Sequence, residues 1–439
     1  MLGFYVMRYG PKNLTFTFTG KNLTHFGGVY LLHLFFKQIQ LRPLLSQNLR
    51  FNQRNNRFSV AEEILALIYP ISLGLGRIET SYFLKHNGVF QYLTGLPTYP
   101  NPTTLRRFLL RMAPLALSKF RRLHDRFLLL MALKPKPPTK VIFDLDSTVL
   151  TLYGKQEMAR IGYNPKKWGR PSYHPLLCFN GITKDFWHGE LRPGDTHTGT
   201  GTIELLKASF AKLPPSVKRV TIRADKGFYD HETIEYLESQ RALFVIVAKI
   251  TAPIKREISS LSYRVHSSGL ETSEFMYQPT GWKKKYRFVV IRRLIPEDPT
   301  EQLTLFSIGK YTYQVLVTNM KLTPLNTWRF YNGRAAVELI IKELKGDYPL
   351  GKIPTKHFAA NEAYFHILLF SYNLINWFKR LCLPKEFQNM TLNTLRNRLL
   401  LIPGELVKIE NRPTLKLPAN FLYKDAFGYA IKRIDKLKI

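Results

Sequence analysis

Two short acidic motifs lie where predicted strands end. In the segment VIFDLDSTVL, Asp144 and Asp146 share one face of a β-branched strand because side chains alternate along a strand. In VTIRADKGFYD, Asp225 directly follows a second predicted strand. Carboxylates on such a face are costly to bury unless they bind a cation or hydrogen-bond donors, and sites form where the strands of open α/β sheets end. Each motif alone is equally explained by an aspartate that caps the next turn or helix.

A third group of polar residues lies in a helix predicted over residues 327–345. Four of its side chains, at offsets 0, 3, 7 and 14, fall within an arc of roughly 60° at about 100° per residue. They are Tyr331, Arg334, Glu338 and Lys345. Lys342 lies close to the same arc. The alternative is an exposed helix face on which Glu338 and Lys342 form a surface ion pair four residues apart.

Taken together, these motifs resemble the cut-and-paste DDE transposases of bacterial insertion sequences. The spacing Tyr331-(2)-Arg334-(3)-Glu338-(6)-Lys345 is similar to the helix signature of that family, and the DLDST and RADKGFYD segments resemble its two aspartate blocks. The segment GYNPKKWGRPSYHPL resembles a further motif of one subgroup. The resemblance extends over about residues 140–381. The chain departs from the family pattern at few positions, namely Asn332, Gly333 and Lys226.

The resemblance implies an α/β fold. Its ribonuclease-H-like, mixed-sheet catalytic core would be interrupted by a β-rich insertion and preceded by a mainly helical DNA-binding domain. Residue by residue, Asp146, Asp225 and Glu338 correspond to the catalytic triad that binds metal. Asp144 has no counterpart in the triad, and we interpret it as a residue that supports the triad from behind.

The expected cofactor follows from the chemistry of phosphodiesters. Their negative charge repels nucleophiles, and two divalent ions about 3.5–4 Å apart can activate the nucleophile and stabilise the leaving oxygen. Mg²⁺ prefers oxygen ligands and takes a few carboxylates together with substrate phosphates. The near absence of His and Cys around these carboxylates argues against zinc. We therefore expect two Mg²⁺ ions, for which Mn²⁺ can substitute.

Contacts with DNA phosphates are predicted from the signature helix and from one loop. On the helix, the side chains that share the face of Glu338 would bind phosphates next to the scissile bond, and these are Tyr331, Arg334, Lys342 and Lys345. In the loop YNPKKWGRP, the predicted contacts are Lys166, Lys167 and Arg170. The alternative for the loop is a basic surface that is merely solvated.

One base-stacking residue and one DNA-binding helix are also predicted, each with an alternative that does not involve DNA. The resemblance implies a hairpin intermediate with a flipped base, and Trp282, which precedes three lysines, is the predicted stacking residue. Trp282 could equally cover the core of the insertion. Helices over residues 80–93 and 104–112 could form a helix-turn-helix whose second helix presents arginines to DNA. These are Arg106, Arg107 and Arg111, and the alternative is a solvated basic face.

The charge and composition of the chain favour a polyanionic partner. The 439 residues carry a formal net charge of +34, while 45% hydrophobic and 13% aromatic residues are typical of folded proteins rather than charged disordered chains. Residues 1–140 contain 20 basic and 4 acidic residues, so the remainder holds nearly all the carboxylates. Apolar stretches fall short of the roughly 18 residues that span a bilayer, and two cysteines cannot build a disulfide framework.

The predicted organisation has six parts. The proline-rich segment KPKPPTK stops a helix and favours an extended linker, after which the pattern changes from helical to alternating strands and helices. The parts are a basic helical DNA-binding domain (1–134), a linker (135–140), the first part of the core (141–254), a β-rich insertion (255–325), the second part of the core with the catalytic helix (326–400) and a C-terminal basic tail (401–439).

The preferred function is a DNA transposase that cleaves transposon ends and joins their 3′ ends to target DNA. Its expected partners are double-stranded DNA, comprising terminal inverted repeats and target, and a second copy of the chain in a synaptic homodimer. No membrane partner is expected, and the expected location is the prokaryotic cytoplasm in association with the nucleoid. The alternatives are a catalytically inactive, repressor-like DNA-binding protein and a nuclease of the same fold that cuts without joining.

Overall fold

The computed structural model describes residues 18, 20–51, 57–267, 269–295, 306–308 and 310–438. The helices are α1 (Val29–Gln38), α2 (Leu41–Asn48), α3 (Val60–Leu73), α4 (Gly88–Thr94), α5 (Pro102–Ala132), α6 (Thr202–Phe210), α7 (His231–Ser239), α8 (Ala252–Ser260), α9 (Pro324–Asn332), α10 (Ala335–Gly346), α11 (Phe358–Cys382), α12 (Lys385–Gln388), α13 (Leu392–Leu395) and α14 (Lys424–Asp435). The strands are β1 (Leu23–Thr24), β2 (Lys140–Ser147), β3 (Leu150–Thr151), β4 (Arg160–Ile161), β5 (Pro171–Tyr173), β6 (Leu176–Asn180), β7 (Phe186–Glu190), β8 (Arg219–Ala224), β9 (Leu243–Val247), β10 (Arg264–Ser267), β11 (Leu270–Tyr277), β12 (Tyr286–Leu294), β13 (Phe306–Ile308), β14 (Tyr311–Thr318), β15 (Gly404–Ile409) and β16 (Arg412–Lys416).

The N-terminal helices differ from the predicted ones in two places. The helix predicted over residues 104–112 is the first part of a longer helix, α5, which continues through Pro114. A proline inside a helix removes one hydrogen bond, but α5 buries side chains on both sides of this proline and packs against α11, and this packing offsets the loss. The helix predicted over residues 80–93 divides into a 3₁₀ segment, Ile78–His86, and α4.

The division before α4 has a local cause, and it changes the predicted helix-turn-helix. The Asn87 side chain accepts a hydrogen bond from the backbone N–H of Phe90 at 2.8 Å, which is the contact of a helix N-cap. A new helix therefore begins at Gly88. The first element of the predicted helix-turn-helix is thus a 3₁₀ segment followed by a short helix, and its second is the start of the long α5.

A large mixed sheet forms the centre of the α/β fold. Within the described residues its order is β10-β11-β12-β14-β9-β8-β2-β6-β7, with β13 paired to β14. Strands β2, β8 and β9 are parallel, while β6 and β7 are antiparallel to their neighbours. The predicted sequence of strands and helices across residues 141–249 agrees with this sheet. His174 and Pro175 separate β6 from β5, which belongs to a smaller sheet.

The smaller sheet to which β5 belongs has the order β3-β5-β4. It pairs Leu150 with Tyr173 and Arg160 with Ser172. Because β3 begins only three residues after β2 ends, this sheet lies beside the segment that carries Asp146.

The segment predicted as a β-rich insertion, residues 255–325, continues the large sheet. Strand β14 pairs antiparallel with β9, with Leu316 opposite Val247 and Val317 opposite Ile246. Strands β12 and β11 then extend the sheet outward. The insertion and the core are therefore joined by backbone hydrogen bonds as well as by side-chain packing.

Helix α11 links the N-terminal helices to the sheet. It is almost entirely buried and contacts α3, α5, α14 and β7, so that all of them share one hydrophobic core. The Asn373 side chain accepts from the backbone N–H of Phe186 and donates to its carbonyl, both at 2.8 Å, which fixes α11 to β7. No helix in the described part of the chain is long and apolar enough to cross a membrane.

The segment predicted as a C-terminal basic tail, residues 401–439, is folded where the structure describes it. Strands β15 and β16 form a hairpin, and β15 also pairs with β1. Helix α14 contacts α1 and α11, and the Gln38 side chain donates to the carbonyl of Leu437 at 2.6 Å. This segment therefore completes the N-terminal part of the fold.

Asp185 provides a test of how α11 is held. Its carboxylate is fully buried and accepts from Arg380 at 2.9 Å and from Asn376 at 2.6 Å. Asp185→Ala should lower the free energy of unfolding by about 2–4 kcal/mol, because it removes the buried carboxylate that the half-buried Arg380 guanidinium and the Asn376 amide share. Urea denaturation measures the change. The matched change of the exposed Glu257→Ala should stay within about 0.5 kcal/mol, and an equal loss in both variants would contradict this account.

Candidate active site

Two neighbouring parallel strands deliver charged side chains to the same face of the sheet. In the register of β2 and β8, Asp144 is the partner of Arg223. Asp146 lies two residues after Asp144, still within β2, and Asp225 lies two residues after Arg223, directly after β8. Because side chains alternate with period two, each pair of positions stays on one face. The strand register therefore places an Asp–Arg pair behind an Asp–Asp pair.

The carboxylates of the three predicted triad residues meet at one guanidinium. Arg334 Nη2 lies 3.1 Å from Asp146 Oδ1 and 3.8 Å from Asp225 Oδ2, and its Nη1 lies 3.3 Å from Glu338 Oε1. Arg334 Nη2 also donates to the carbonyl of Leu145 at 3.1 Å. The Arg334 side chain is only 5% exposed, whereas that of Glu338 is 67% exposed. The three residues come from β2, from the end of β8 and from α10, and a buried cation holds them together.

Burial and like charge govern the acidity of this cluster. Burial raises the pKa of the Asp146 carboxyl to about 6; Arg334 opposes this shift, and the neighbouring carboxylates of Asp225 and Glu338 reinforce it. Burial lowers the pKa of the Arg334 guanidinium, but the surrounding carboxylates outweigh burial and raise that pKa above its ordinary value. Arg334 is therefore charged, and Asp146 is the carboxylate that most needs a nearby cation.

Asp144 and Arg223 form a second, fully enclosed ion pair behind this cluster. Arg223 Nε donates to Asp144 Oδ1 at 2.6 Å and its Nη2 to Asp144 Oδ2 at 2.8 Å, so the contact is bidentate. The two side chains are 1% and 6% exposed. Burial raises the pKa of Asp144, and the hydrogen bonds from Arg223 oppose that shift. Asp144, which the sequence indicated only as a support for the triad, is therefore a member of this buried pair.

The same arginine reaches the helix that precedes Arg334. Arg223 Nη1 donates to the carbonyl of Phe330 at 2.9 Å, and its guanidinium lies 5.2 Å from the centre of the Phe330 ring. A Cβ at Gly181 would stand 2.5 Å from Asp144 Oδ2, and a Cβ at Gly333 would overlap Arg223 Nη1. The two glycines therefore leave the space that the ion pair occupies.

The position of Gly333 also explains why the predicted signature helix is not continuous. The helix predicted over residues 327–345 divides into α9, which ends at Asn332, and α10, which begins at Ala335. The break falls where Arg223 approaches the backbone. Backbone hydrogen bonds between residues three apart span it, among them those from Arg334 N to the Tyr331 carbonyl at 2.8 Å and from Ala336 N to the Gly333 carbonyl at 3.4 Å.

The side chains of the predicted polar stripe differ in exposure. Tyr331 is buried and packs with Val245, Val289, Ile291 and Leu316 in a second hydrophobic cluster. Burial raises its pKa to about 12. In this structure neither Tyr331 nor Arg334 presents its side chain to solvent, although both are predicted to contact DNA.

Lysines of the stripe lie further along α10 and remain at the surface. Lys342 is exposed. Lys345 Nζ donates to the carbonyl of Val149 at 3.0 Å, and burial, followed by the charge of Lys166, lowers the pKa of Lys345. Lys166, Lys167 and Arg170 are exposed on the loop before β5. The structure therefore brings this loop close to the end of α10.

The N-terminal arginines of the predicted helix-turn-helix have different surroundings. Arg106 Nε donates to the carbonyl of Pro354 at 2.9 Å, and its guanidinium pairs with Glu79. Arg107 and Arg111 line a cavity of about 260 Å³ whose charged lining is mainly basic, and Arg111 Nη2 lies 3.8 Å from Glu63 Oε1 in the same cavity. Arg106 thus joins α5 to the segment after α10, whereas Arg107 and Arg111 border a basic recess.

Trp282, the predicted base-stacking residue, is enclosed by aromatic neighbours. Its ring lies 5.2 Å from Tyr229, 5.3 Å from His231 and 5.2 Å from Tyr286, measured between centroids. Tyr229 and His231 follow Asp225 closely in sequence. In this structure Trp282 therefore packs between the insertion and the segment that follows β8. Its contact with a flipped base stays a prediction.

The carboxylates of the cluster are the donors that Mg²⁺ needs, but Arg334 lies among them. Among the described residues, no group of three or more His, Cys, Asp or Glu side chains is assembled as a metal site, because Arg334 stands between the carboxylates. The donor types nevertheless fit, since all three are carboxylates around one buried positive charge. In the connected cluster, four carboxylates face two guanidiniums, which leaves the charge that one divalent ion would neutralise. Arg334 Nε also has no hydrogen-bond partner among the described residues.

Arg223 is the site residue that the sequence analysis missed. Its signal is present in the sequence, because Arg223 precedes Asp225 by two positions just as Asp144 precedes Asp146. Period-two alternation puts each pair on one strand face, so two adjacent strands with the patterns DxD and RxD can match Asp with Arg.

A double-mutant cycle tests the enclosed pair. Arg223→Met should lower the free energy of unfolding by about 3–5 kcal/mol, because it leaves the Asp144 carboxylate buried without its partner. Asp144→Leu combined with Arg223→Met should recover most of that loss, since replacing both members of a buried pair by apolar residues is often neutral. Urea denaturation of Arg223→Met, of Asp144→Leu alone and of the double variant gives the coupling energy. Simple additivity of the two single changes would show that the pair is not coupled.

Comparisons with known proteins bear on the family of this chain. A family model described as transposase DDE domain group 1 matches residues 7–439. Among solved structures, a cryo-EM structure of the piggyBac transposase synaptic complex with hairpin DNA is similar, with a TM-score of 0.41, 13% identity and coverage of 85% of each chain. Curated proteins include no match. The match over nearly the whole sequence confirms the resemblance to DDE transposases, and the chain belongs to the transposase DDE domain group 1 family.

Proposed function

We propose that this transposase cleaves the ends of its own element and joins their 3′ ends to target DNA by metal-dependent phosphodiester transfer, in a cut-and-paste reaction. The observation that carries the proposal is the meeting of Asp146, Asp225 and Glu338 at the Arg334 guanidinium. Three carboxylates from separate elements converge although their like charges oppose it. Such a cluster is costly in a protein that only binds DNA, because acidic groups repel the approaching phosphates.

We further propose a ribonuclease-H-like core and membership of the insertion-sequence branch with the Tyr-Arg-Glu-Lys signature. The order β7-β6-β2-β8-β9, with the carboxylates on β2, after β8 and on α10, supports such a core. The spacing of Tyr331, Arg334, Glu338 and Lys345 supports the branch. The buried positions of Tyr331 and Arg334 mean that their proposed contact with DNA requires the site to open when DNA binds.

The roles of the side chains follow from their positions. Asp146, Asp225 and Glu338 would hold Mg²⁺, which when bound neutralises phosphate charge and lowers the pKa of a water or 3′-hydroxyl nucleophile. Arg334 keeps the carboxylates together and ionised before an ion arrives, and it orients Glu338, which is otherwise exposed. Lys345 and Lys342 lie on the exposed side of α10, where they can bind phosphates of the incoming strand.

The proposed partners are double-stranded DNA, as terminal inverted repeats and as target, and a second copy of the chain. The net charge of +34 supports strong attraction to DNA at low salt. A homodimer is proposed because two element ends must be cut and joined together. A prokaryotic host and association with the nucleoid are part of the same proposal.

Cleavage of defined DNA tests the reaction. The purified chain with Mg²⁺ should nick duplexes that carry the inverted repeats flanking its reading frame and should join them to a plasmid. Asp146→Asn, Asp225→Asn and Glu338→Gln should each slow both steps by about 10³-fold or more, because each removes a carboxylate from the charge-neutralising set. Glu257→Gln serves as the matched control with full activity.

Different results would separate the alternatives. Nicked but never joined DNA would indicate a nuclease of this fold. DNA binding without cleavage in Mg²⁺ or Mn²⁺ would indicate the inactive, repressor-like alternative. Full strand transfer by any of the three carboxylate variants would refute the assignment of that residue.

Metal binding can be measured without any reaction. Titration calorimetry with Mn²⁺ and the DNA-free chain should give a Kd that Asp146→Asn weakens by about tenfold or more, since affinity follows the number of charged ligands. The Glu257→Gln variant should bind as the wild type does. Equal affinity in Asp146→Asn and wild type would place the metal elsewhere.

A further inference from the structure

Trp168 is a large apolar side chain that the structure leaves in solvent. All five tryptophans lie within the described residues, and Trp168 alone is exposed, at 87% of its surface. Trp187 and Trp377 are buried, while Trp282 and Trp328 are partly covered. An indole without packing partners contributes nothing to the core, and exposed aromatic surface marks contact sites.

A rigid turn holds Trp168 in this position. Arg170 N donates to the Lys167 carbonyl at 3.2 Å, and Gly169 has a φ of +69°, which is the pattern of a type II turn with Trp168 at its first corner. The turn rests on the buried Asn164. Its amide donates to Thr151 Oγ1 at 3.0 Å, and its Oδ1 accepts from Lys167 N at 3.2 Å. The indole is therefore presented by a fixed backbone anchored to β3.

The turn lies beside the proposed active site. Strand β3, on which Asn164 rests, begins three residues after the strand that carries Asp146 ends. The Lys345 ammonium donates to the Val149 carbonyl just before β3. Burial lowers the pKa of Lys345, and Lys166 and Asp146 both lie close enough to act on that pKa, which the first lowers and the second raises. Trp168 thus stands on a basic loop at the end of α10.

The charges around the indole select its partner. Lys166, Lys167 and Arg170 are exposed on the same short loop, and no acidic residue lies between Gly162 and Arg170. Polyanions are attracted to such a loop, whereas an apolar protein surface would have to bury these charges. A nucleobase offers a flat π-face for the indole, and the adjoining phosphates match the lysines and the arginine.

From this juxtaposition of an exposed indole, three basic side chains and the nearby carboxylates, we propose that Trp168 stacks on an unpaired base of DNA at the active site. The proposal rests on the proposed DNA-processing function and specifies how it is served. Stacking on Trp168 positions an unpaired end next to Asp146, while Lys167 and Arg170 bind its backbone. The loop therefore binds unpaired DNA ends in preference to paired ones, whatever their sequence.

Equilibrium binding in EDTA tests this proposal apart from any cleavage. Two DNA probes of equal length are used, one a blunt duplex and one with a single-stranded overhang. Trp168→Ala should weaken binding of the overhang probe about tenfold and leave the blunt duplex within about twofold, and Trp168→Phe should retain most of the difference. Lys167→Gln should weaken both probes and reduce the salt dependence of binding. Tyr429→Ala, an exposed aromatic on α14, is the matched control.

Tryptophan fluorescence gives an independent readout. The overhang probe should quench the emission of the wild type, and Trp168→Phe should abolish that quenching. If Trp168→Ala lost affinity equally for both probes, or lost none for either, the proposal would be overturned. A shift from dimer to monomer in Trp168→Ala, with DNA affinity unchanged, would also overturn it and assign the indole to contact between copies. Cleavage that fails while overhang binding persists would refute the proposed reaction and leave this inference intact.

Discussion

Like charges that must lie close together need a counter-charge, and in this protein the Arg334 guanidinium supplies it. Asp146, Asp225 and Glu338 would repel one another at close range, and one buried cation contacts all three. Arg334 can reach them because it lies at the junction of α9 and α10 rather than in the middle of a regular helix. The break in the helix, the strand register and the buried ion pair behind it all serve to place this one side chain.

The charged residues form two layers along the same face of β2 and β8. The inner layer, Asp144 with Arg223, is neutral, bidentate and closed to solvent. The outer layer, with three carboxylates around Arg334, retains an excess of negative charge and opens toward solvent through Glu338. Because Arg223 also binds the Phe330 carbonyl, the inner layer fixes where α9 ends and hence where the outer layer begins. The buried, neutral inner layer thus positions the charged outer layer, which solvent can reach.

Much of this arrangement follows from local patterns in the sequence. Alternation along strands predicts the shared face of Asp144 and Asp146, and the order of elements across residues 141–249 predicts the mixed sheet. The break at Gly333 is not predictable from helical periodicity, because it depends on an arginine more than a hundred residues earlier in the chain. The burial of Tyr331 likewise depends on β9, β12 and β14, which come together only in the folded sheet. Pairing partners distant in sequence are what a single sequence does not display.

The contacts between β1 and β15 and between α1 and α14 have a consequence for the order in which the chain can fold. Gly27 N donates to the Ile402 carbonyl, and Gln38 to the Leu437 carbonyl, across nearly the whole length of the chain. During synthesis the basic N-terminal helices leave the ribosome first, yet their packing is completed only when α14 has been made. A copy shortened by a premature stop codon would lack these partners. The N-terminal helices are therefore fully packed only in a chain that includes β15 and α14.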